Sequence, residues 1–229
     1  MFDDIRPYRD EEVVPVLRKL VNEKELQSIV AKYVMPKLYR VFPWLSRMMV
    51  KVSFGYRVRK FVCVETLQKE IVKYLNRLIK KSTNGFSYHG MENFDITKPT
   101  LFVSNHRDIA LDPALVNYAL HQSGSSTAEI AIGDNLLSKP WLSYLMRLNK
   151  SFIVKRGEKS KREMLNASKN LSAYIHHTLT EKKQHVWIAQ REGRAKNGLD
   201  KTNPTIIKMF HLGKRDEEVK INLQDTIDG

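Results

Sequence analysis

Residues 103 to 115 read VSNHRDIALDPAL, with His106, Arg107, Asp108 and Asp112 set between two apolar runs. A neutral imidazole takes a hydroxyl proton near physiological pH. A carboxylate on its other ring nitrogen fixes the tautomer and stabilises the imidazolium that forms. His106 with Asp112, or with Asp108, is therefore a candidate general base with its orienting acid. Asp112 stands directly before Pro113 and also suits a helix N-cap. The protein-kinase catalytic loop shares His-Arg-Asp, but it needs an Asn five residues beyond the Asp to hold a metal. Pro113 occupies that position, and no Asp-Phe-Gly follows it. The seven histidines show no helical pairing with carboxylates of the zinc-protease kind, so no metal is expected.

Two further clusters place cations beside glycines. VKRG contains Lys155, Arg156 and Gly157, and REGRAKNG contains Arg191, Glu192, Gly193, Arg194, Lys196 and Gly198. Guanidinium forks and close backbone approach are how a loop grips phosphate. Glu192 among those cations orders the arginines, binds a hydroxyl, or forms a solvated ion pair. A base, a hydroxyl-orienting acid and phosphate clamps together describe an enzyme acting on a phosphorylated alcohol.

These loops act only where elements hold them. From residue 84 onward, short β-branched or aromatic runs alternate with helical patterns. GFSYHGM and TLFVS precede the helix DPALVNYALHQ, AEIAIG precedes KPWLSYLMRLN, and SFIVKR precedes SKREMLNASKNLSAYIHHTLTEKK. HVWIAQ then precedes NPTIIKMFHL, where Pro204 opens a helix behind Asn203. The alternation predicts an α/β domain over residues 84–229, its mixed or mostly parallel sheet flanked by helices. Ligands gather beyond the strand ends of such sheets, and each polar cluster follows a predicted strand.

Residues 1–83 read as a helical, basic, aromatic-rich region. Val14, Leu17, Leu20 and Val21 form one predicted apolar stripe. No acidic residue lies between Glu25 and Glu65, whereas Lys32, Lys37, Arg40, Arg47 and Lys51 interleave with Tyr33, Tyr39, Phe42 and Trp44. Such a segment suits a lipid headgroup layer, or a hairpin whose apolar face packs on the body.

Composition bounds the function class. The 229 residues carry a net charge of +14, a field that favours nucleic acid, anionic membrane or phosphate ligands. RNA-binding signatures are absent, so no nucleic-acid partner is expected. Cys63 is the single cysteine, which fits a reducing compartment. Every hydrophobic run is broken by charge short of the roughly 18–20 residues that a spanning helix needs.

In order and spacing, the three clusters resemble the motifs of the glycerolipid acyltransferases, which acylate glycerol 3-phosphate or lysophosphatidate. Asn105, His106 and Asp112 match Asn-His, a spacer and Asp; SFIVKRG matches a strand ending in a basic residue; REGRAKNG is similar to the third motif, which centres on Glu-Gly followed by a small residue and an Arg. The resemblance covers residues about 86 to 212. It implies an acyltransferase-type α/β domain that transfers a fatty acyl group from acyl-CoA or acyl-carrier protein, without a cofactor or covalent enzyme intermediate. Carried over, His106 is the base and Asp112 its orienter, with Asp108 as the alternative. Asn105, Lys155, Arg156, Gly157, Glu192, Gly193, Arg194 and Lys196 then line the acceptor site. The implied setting is phospholipid biosynthesis in a bacterial cytoplasm, peripheral on the inner face of the plasma membrane and docked on anionic lipid. Three departures stand out. Asp112 follows His106 after five residues rather than four, and Arg194 takes the place of a small residue. The chain also ends before the Val-Pro strand that follows in the family, which reads as a truncation. The alternatives are the same chemistry on another lysolipid or an amino-acid lipid, or a basic module that binds membrane or RNA without catalysis.

Overall fold

The structure is a computed structural model that describes residues 1–93, 95–158, 160–191, 193–196 and 203–212. Its first elements are the helices α1 (Asp10–Asn22), α2 (Lys24–Val34), α3 (Pro36–Val41), α4 (Pro43–Val58) and α5 (Val64–Ser82). Strand β1 (Leu101–Ser104), α6 (Leu111–Gln122), β2 (Glu129–Gly133), α7 (Pro140–Leu148) and β3 (Ser151–Val154) come next. The last are α8 (Lys161–Thr180), β4 (Val186–Ala189) and α9 (Pro204–Phe210). Two compact units result. One comprises Met1–Arg6, Asn84–Leu136 and Ser151–Gly229; the other comprises Pro7–Thr83 with Leu137–Lys150.

The first unit is built on a four-stranded sheet of order β1-β4-β2-β3 in which every pairing is parallel. Parallel strands are covered on both faces and therefore read as apolar runs. The central strand β4 shows this, with Val186, Trp187 and Ile188 all buried. Its side chains alternate between faces. Trp187 packs with Leu120 of α6, Ala128 and Ile130, whereas Val186 and Ile188 pack with Phe152 and with Leu171, Tyr174 and Ile175 of α8. Helices thus cover both faces, and the α/β class expected from the alternation is the class observed.

Helix α8 starts at a reciprocal cap, where Ser160 Oγ accepts from Glu163 N at 3.2 Å and Glu163 Oε2 accepts from Ser160 N at 3.0 Å. Near its other end, Tyr174 and Lys182 both donate to the buried carboxylate of Glu129. Burial and that carboxylate push the Tyr174 hydroxyl far above its ordinary pKa. Glu129 opens β2, so this polar network braces the N-terminal edge of the sheet. His185 is braced similarly there, accepting from Thr100 N at 3.0 Å and pairing with Ser125 Oγ at 3.0 Å.

Two local expectations are corrected in this unit. GFSYHGM is not a strand, because Gly85 and Gly90 take φ values of +133° and +91° and turn the chain. Phe86 instead meets Tyr88 at a tilt and Tyr118 edge-on, at centroid distances of 5.7 and 5.6 Å. Helix α6 begins at Leu111, two residues before Pro113, which is accommodated in the first turn because its missing N–H needs no partner there.

In the second unit, Val13, Val16, Leu17, Leu20 and Val21 of α1 pack with Val58, Phe61 and Leu148. The buried stripe of α1 is set by Val13 and Val16, and Val14 faces solvent rather than lying on it. Asp10 Oδ1 caps α5 by accepting from Val64 N at 2.8 Å. Helix α7, read from sequence as part of the α/β alternation, contributes Leu148 to this second core.

Candidate active site

Because all four strands run the same way, the loops after β1, β2, β3 and β4 emerge at one edge of the sheet. That edge gathers the three polar clusters of the sequence.

Asn105 and His106 leave the end of β1, and the turn into α6 is tied by two carboxylates. Asp108 Oδ1 accepts from Ala110 N at 2.9 Å and Leu111 N at 2.8 Å, so Asp108 caps the helix rather than Asp112. Asp112, in the first turn of α6, reaches back, and its Oδ2 accepts from Arg107 N at 2.5 Å and Asp108 N at 3.1 Å. Its carboxylate is therefore held against the peptides that directly follow His106. The Leu111 and Ala110 N–H groups hold the Asp108 carboxyl below the usual carboxylate range, and Arg194 and His106 act in the same direction. His106 itself is half-buried, and its Nδ1 is buried with no hydrogen-bond partner among the described residues. Leaving such an atom unpaired costs about 1–3 kcal/mol.

The third cluster meets the first directly. Gln190 N donates to Ser104 O at 2.9 Å, extending the β1–β4 ladder by one residue. The Gln190 amide donates through Nε2 to Asn105 Oδ1 and accepts through Oε1 from Asn203 N at 3.2 Å. Beyond it, Ala195 N donates to His106 O at 2.8 Å. Gly193 takes φ +80°, a left-handed conformation that turns the chain at low cost only for glycine. Arg194 and Lys196 flank Ala195 and are exposed, and Arg194 acts electrostatically on Asp108. Glu192 lies outside the described residues. Ser104 has its hydroxyl engaged, donating to Asn105 O at 2.9 Å while accepting from Trp187 Nε1 at 3.1 Å.

The second cluster leaves β3 at the far edge of the sheet. Three strand spacings of ~4.8 Å separate the β1 and β3 exits, about 14 Å in all. Lys155 Nζ pairs with Asp4 Oδ2 at 2.6 Å, and that bond raises its pKa. Asp134 receives the loop backbone, accepting from Arg156 N at 3.1 Å and more weakly from Gly157 N at 3.5 Å. The Arg156 side chain crosses the end of β2. A Cβ on Gly133 would lie 3.2 Å from Arg156 Nε and 2.3 Å from Asn135 Oδ1. The structure thus joins Asn105, His106, Asp108, Asp112 and Arg194 into one constellation, while Arg156 approaches along the same edge and Lys155 is held by Asp4.

An acyltransferase family model matches residues 85–213, more than half of the chain and all of this edge. The chain belongs to the acyltransferase family. No curated protein matches it. In this acyltransferase domain, Gln190, Asp134 and Gly133 hold the loops, and none of the three stood out in the sequence. Gln190 and Asp134 each directly follow a strand, and that placement was the available signal. Among the described residues no group of three or more His, Cys, Asp or Glu side chains is placed to hold a metal, and no helix is long and apolar enough to cross a membrane.

Proposed function

We propose that this acyltransferase moves a fatty acyl group from acyl-CoA or an acyl-carrier protein to a hydroxyl of glycerol 3-phosphate or lysophosphatidate, in phospholipid synthesis. The observation that carries the reading is the 2.8 Å bond from Ala195 N to His106 O. It brings the Arg194–Lys196 cations to the loop of the candidate base, as an acceptor with both a hydroxyl and a phosphate requires.

In this mechanism His106 takes the hydroxyl proton as the oxygen attacks the thioester carbonyl. The tetrahedral intermediate then collapses by breaking the C–S bond, and His106 returns the proton to the departing thiolate. No covalent enzyme intermediate is needed, consistent with Ser104 being engaged by Trp187 and Asn105. The Nδ1–H of the charged imidazole needs an acceptor, and in this reading Asp112, whose carboxylate accepts from the Arg107 and Asp108 N–H groups, takes that role. Asp108 is occupied by two N–H groups of the α6 cap and serves chiefly to shape the turn. Arg194, Lys196 and Arg156 supply charge for the acceptor phosphate. Glu192 has the orienting role for the acceptor hydroxyls.

The test measures lipid product from a labelled acyl thioester with glycerol 3-phosphate or lysophosphatidate, against glycerol or monoacylglycerol. Product should form with the phosphorylated acceptors and fall at least tenfold without phosphate. Equal rates with and without phosphate would remove the cationic loops from acceptor binding.

A further inference from the structure

We infer that Gln190 is a positioning residue for acyl transfer, which holds the Asn105 side chain so that its amide donor is presented beside His106. The role rests on the acyl transfer proposed above. Hydrogen-bond direction fixes the arrangement. The backbone N–H of Asn203 can only donate, so the Gln190 atom that it meets at 3.2 Å is Oε1. Gln190 Nε2 then faces Asn105, which answers with its acceptor, Oδ1. Asn105 Nδ2 is left over, and no hydrogen bond among the described residues uses it. The main chain is held as well. The carbonyls of Asn105 and His106 accept from Ser104 Oγ at 2.9 Å and from Ala195 N at 2.8 Å.

A fixed donor next to the base has a use in the reaction. As the acceptor hydroxyl attacks, negative charge builds on the thioester carbonyl oxygen, and a preorganised N–H stabilises that charge without having to reorient. Asn105 and His106 are consecutive at the end of β1, and both are half-buried. Asn105 Nδ2 is the group that meets this oxygen. Gln190 touches no reacting atom and acts through Asn105. The relay begins at Asn203, the N-cap of α9, whose Oδ1 accepts from Thr205 N at 3.0 Å. It runs through the β4 exit to the β1 exit. A simple brace needs two bonds of either polarity, whereas this relay needs them in one direction, and that difference is measurable.

The experiment is a double-mutant cycle on the full chain, read as kcat and KM for thiol release from an acyl thioester at the plateau of the pH profile. In Gln190→Glu, one carboxylate oxygen still accepts from Asn203 N, and the other obliges Asn105 to turn and donate Nδ2. The bracing survives, but Asn105 now offers its oxygen to the reacting centre. The thermal midpoint should therefore stay near wild type while kcat falls at least about tenfold with little change in KM. Asn105→Asp also accepts from Gln190 and presents an oxygen, so it should lose kcat similarly and serves where Gln190→Glu folds poorly. On an Asn105→Ala background, Gln190→Glu should change kcat by less than about twofold, because its target is gone. An equal loss on both backgrounds would assign the effect to the added charge and overturn the inference. So would wild-type kcat in folded Asn105→Asp. Glycerol 3-phosphate and glycerol are both supplied as acceptors, so a missing phosphate preference counts against the proposed acceptor class and not against Gln190.

Discussion

At the residue scale, the two carboxylates of the His106 loop have different duties, and substitution separates them. Both loop N–H bonds of Asp112 go to a single oxygen, so Asp112→Asn keeps an acceptor there and loses only the charge. Its thermal midpoint should stay near wild type while turnover drops about 10²–10⁴-fold. Asp112→Ala should lose activity and also about 1–2 kcal/mol of stability through two unpaired N–H groups. Full activity in the Asn variant would make Asp112 a loop brace only. Asp108 differs: its folded pKa is depressed below the unfolded value by the Leu111 and Ala110 N–H bonds. Its contribution to stability is therefore complete above the unfolded pKa of about 4 and is lost as pH falls through the lower folded value. The stability gap between wild type and Asp108→Ala should be full at neutral pH and close only below about pH 4, as read by denaturant melts across pH. A gap that persists unchanged at pH 2 would contradict the cap. The sequence offered both aspartates as partners for His106. Their division depended on where α6 begins, which Pro113 suggested two residues too late.

At the element scale, β4 joins fold and site. Trp187 is buried against Leu120 and Ile130, and its indole N–H reaches Ser104, directly before Asn105 and His106. Trp187→Ala should cost about 3–5 kcal/mol and loosen the β1 exit; the Trp187→Phe variant should recover most of the packing without the bond to Ser104. Chemical denaturation measures both, and a loss below 1 kcal/mol for the alanine variant would contradict the packing role. The four short apolar runs TLFVS, AEIAIG, SFIVKR and HVWIAQ were legible as strands because a parallel sheet buries both faces of its strands. Strand order was not legible: nothing local in HVWIAQ states that it inserts between β1 and β2. GFSYHGM misled because its aromatic alternation serves a ring cluster, while two glycines at positive φ turn the chain.

At the scale of the whole molecule, the chain divides into a unit built on the parallel sheet and a helical unit that takes in α7, while the acyltransferase match over residues 85–213 spans α7 as well. The charge of +14 was plain in the sequence, but its placement was not. Pairs such as Lys60–Glu70 and Lys155–Asp4 are neutral, so the excess sits on other cations, among them the exposed Lys37, Arg40 and Lys51 of α3 and α4. The candidate site was legible as three loops in order along the chain. The contacts that draw the first and third together run through Gln190 and the Ala195 backbone, which carry no signature in residue type. The measurement that bears most directly on the whole account is the initial rate of acceptor-dependent thiol release from an acyl thioester, wild type against His106→Ala, with folding checked by circular dichroism. The proposed mechanism predicts a loss of 10²–10⁴-fold for the variant with its spectrum unchanged. A folded His106→Ala protein that releases thiol at the wild-type rate would contradict it.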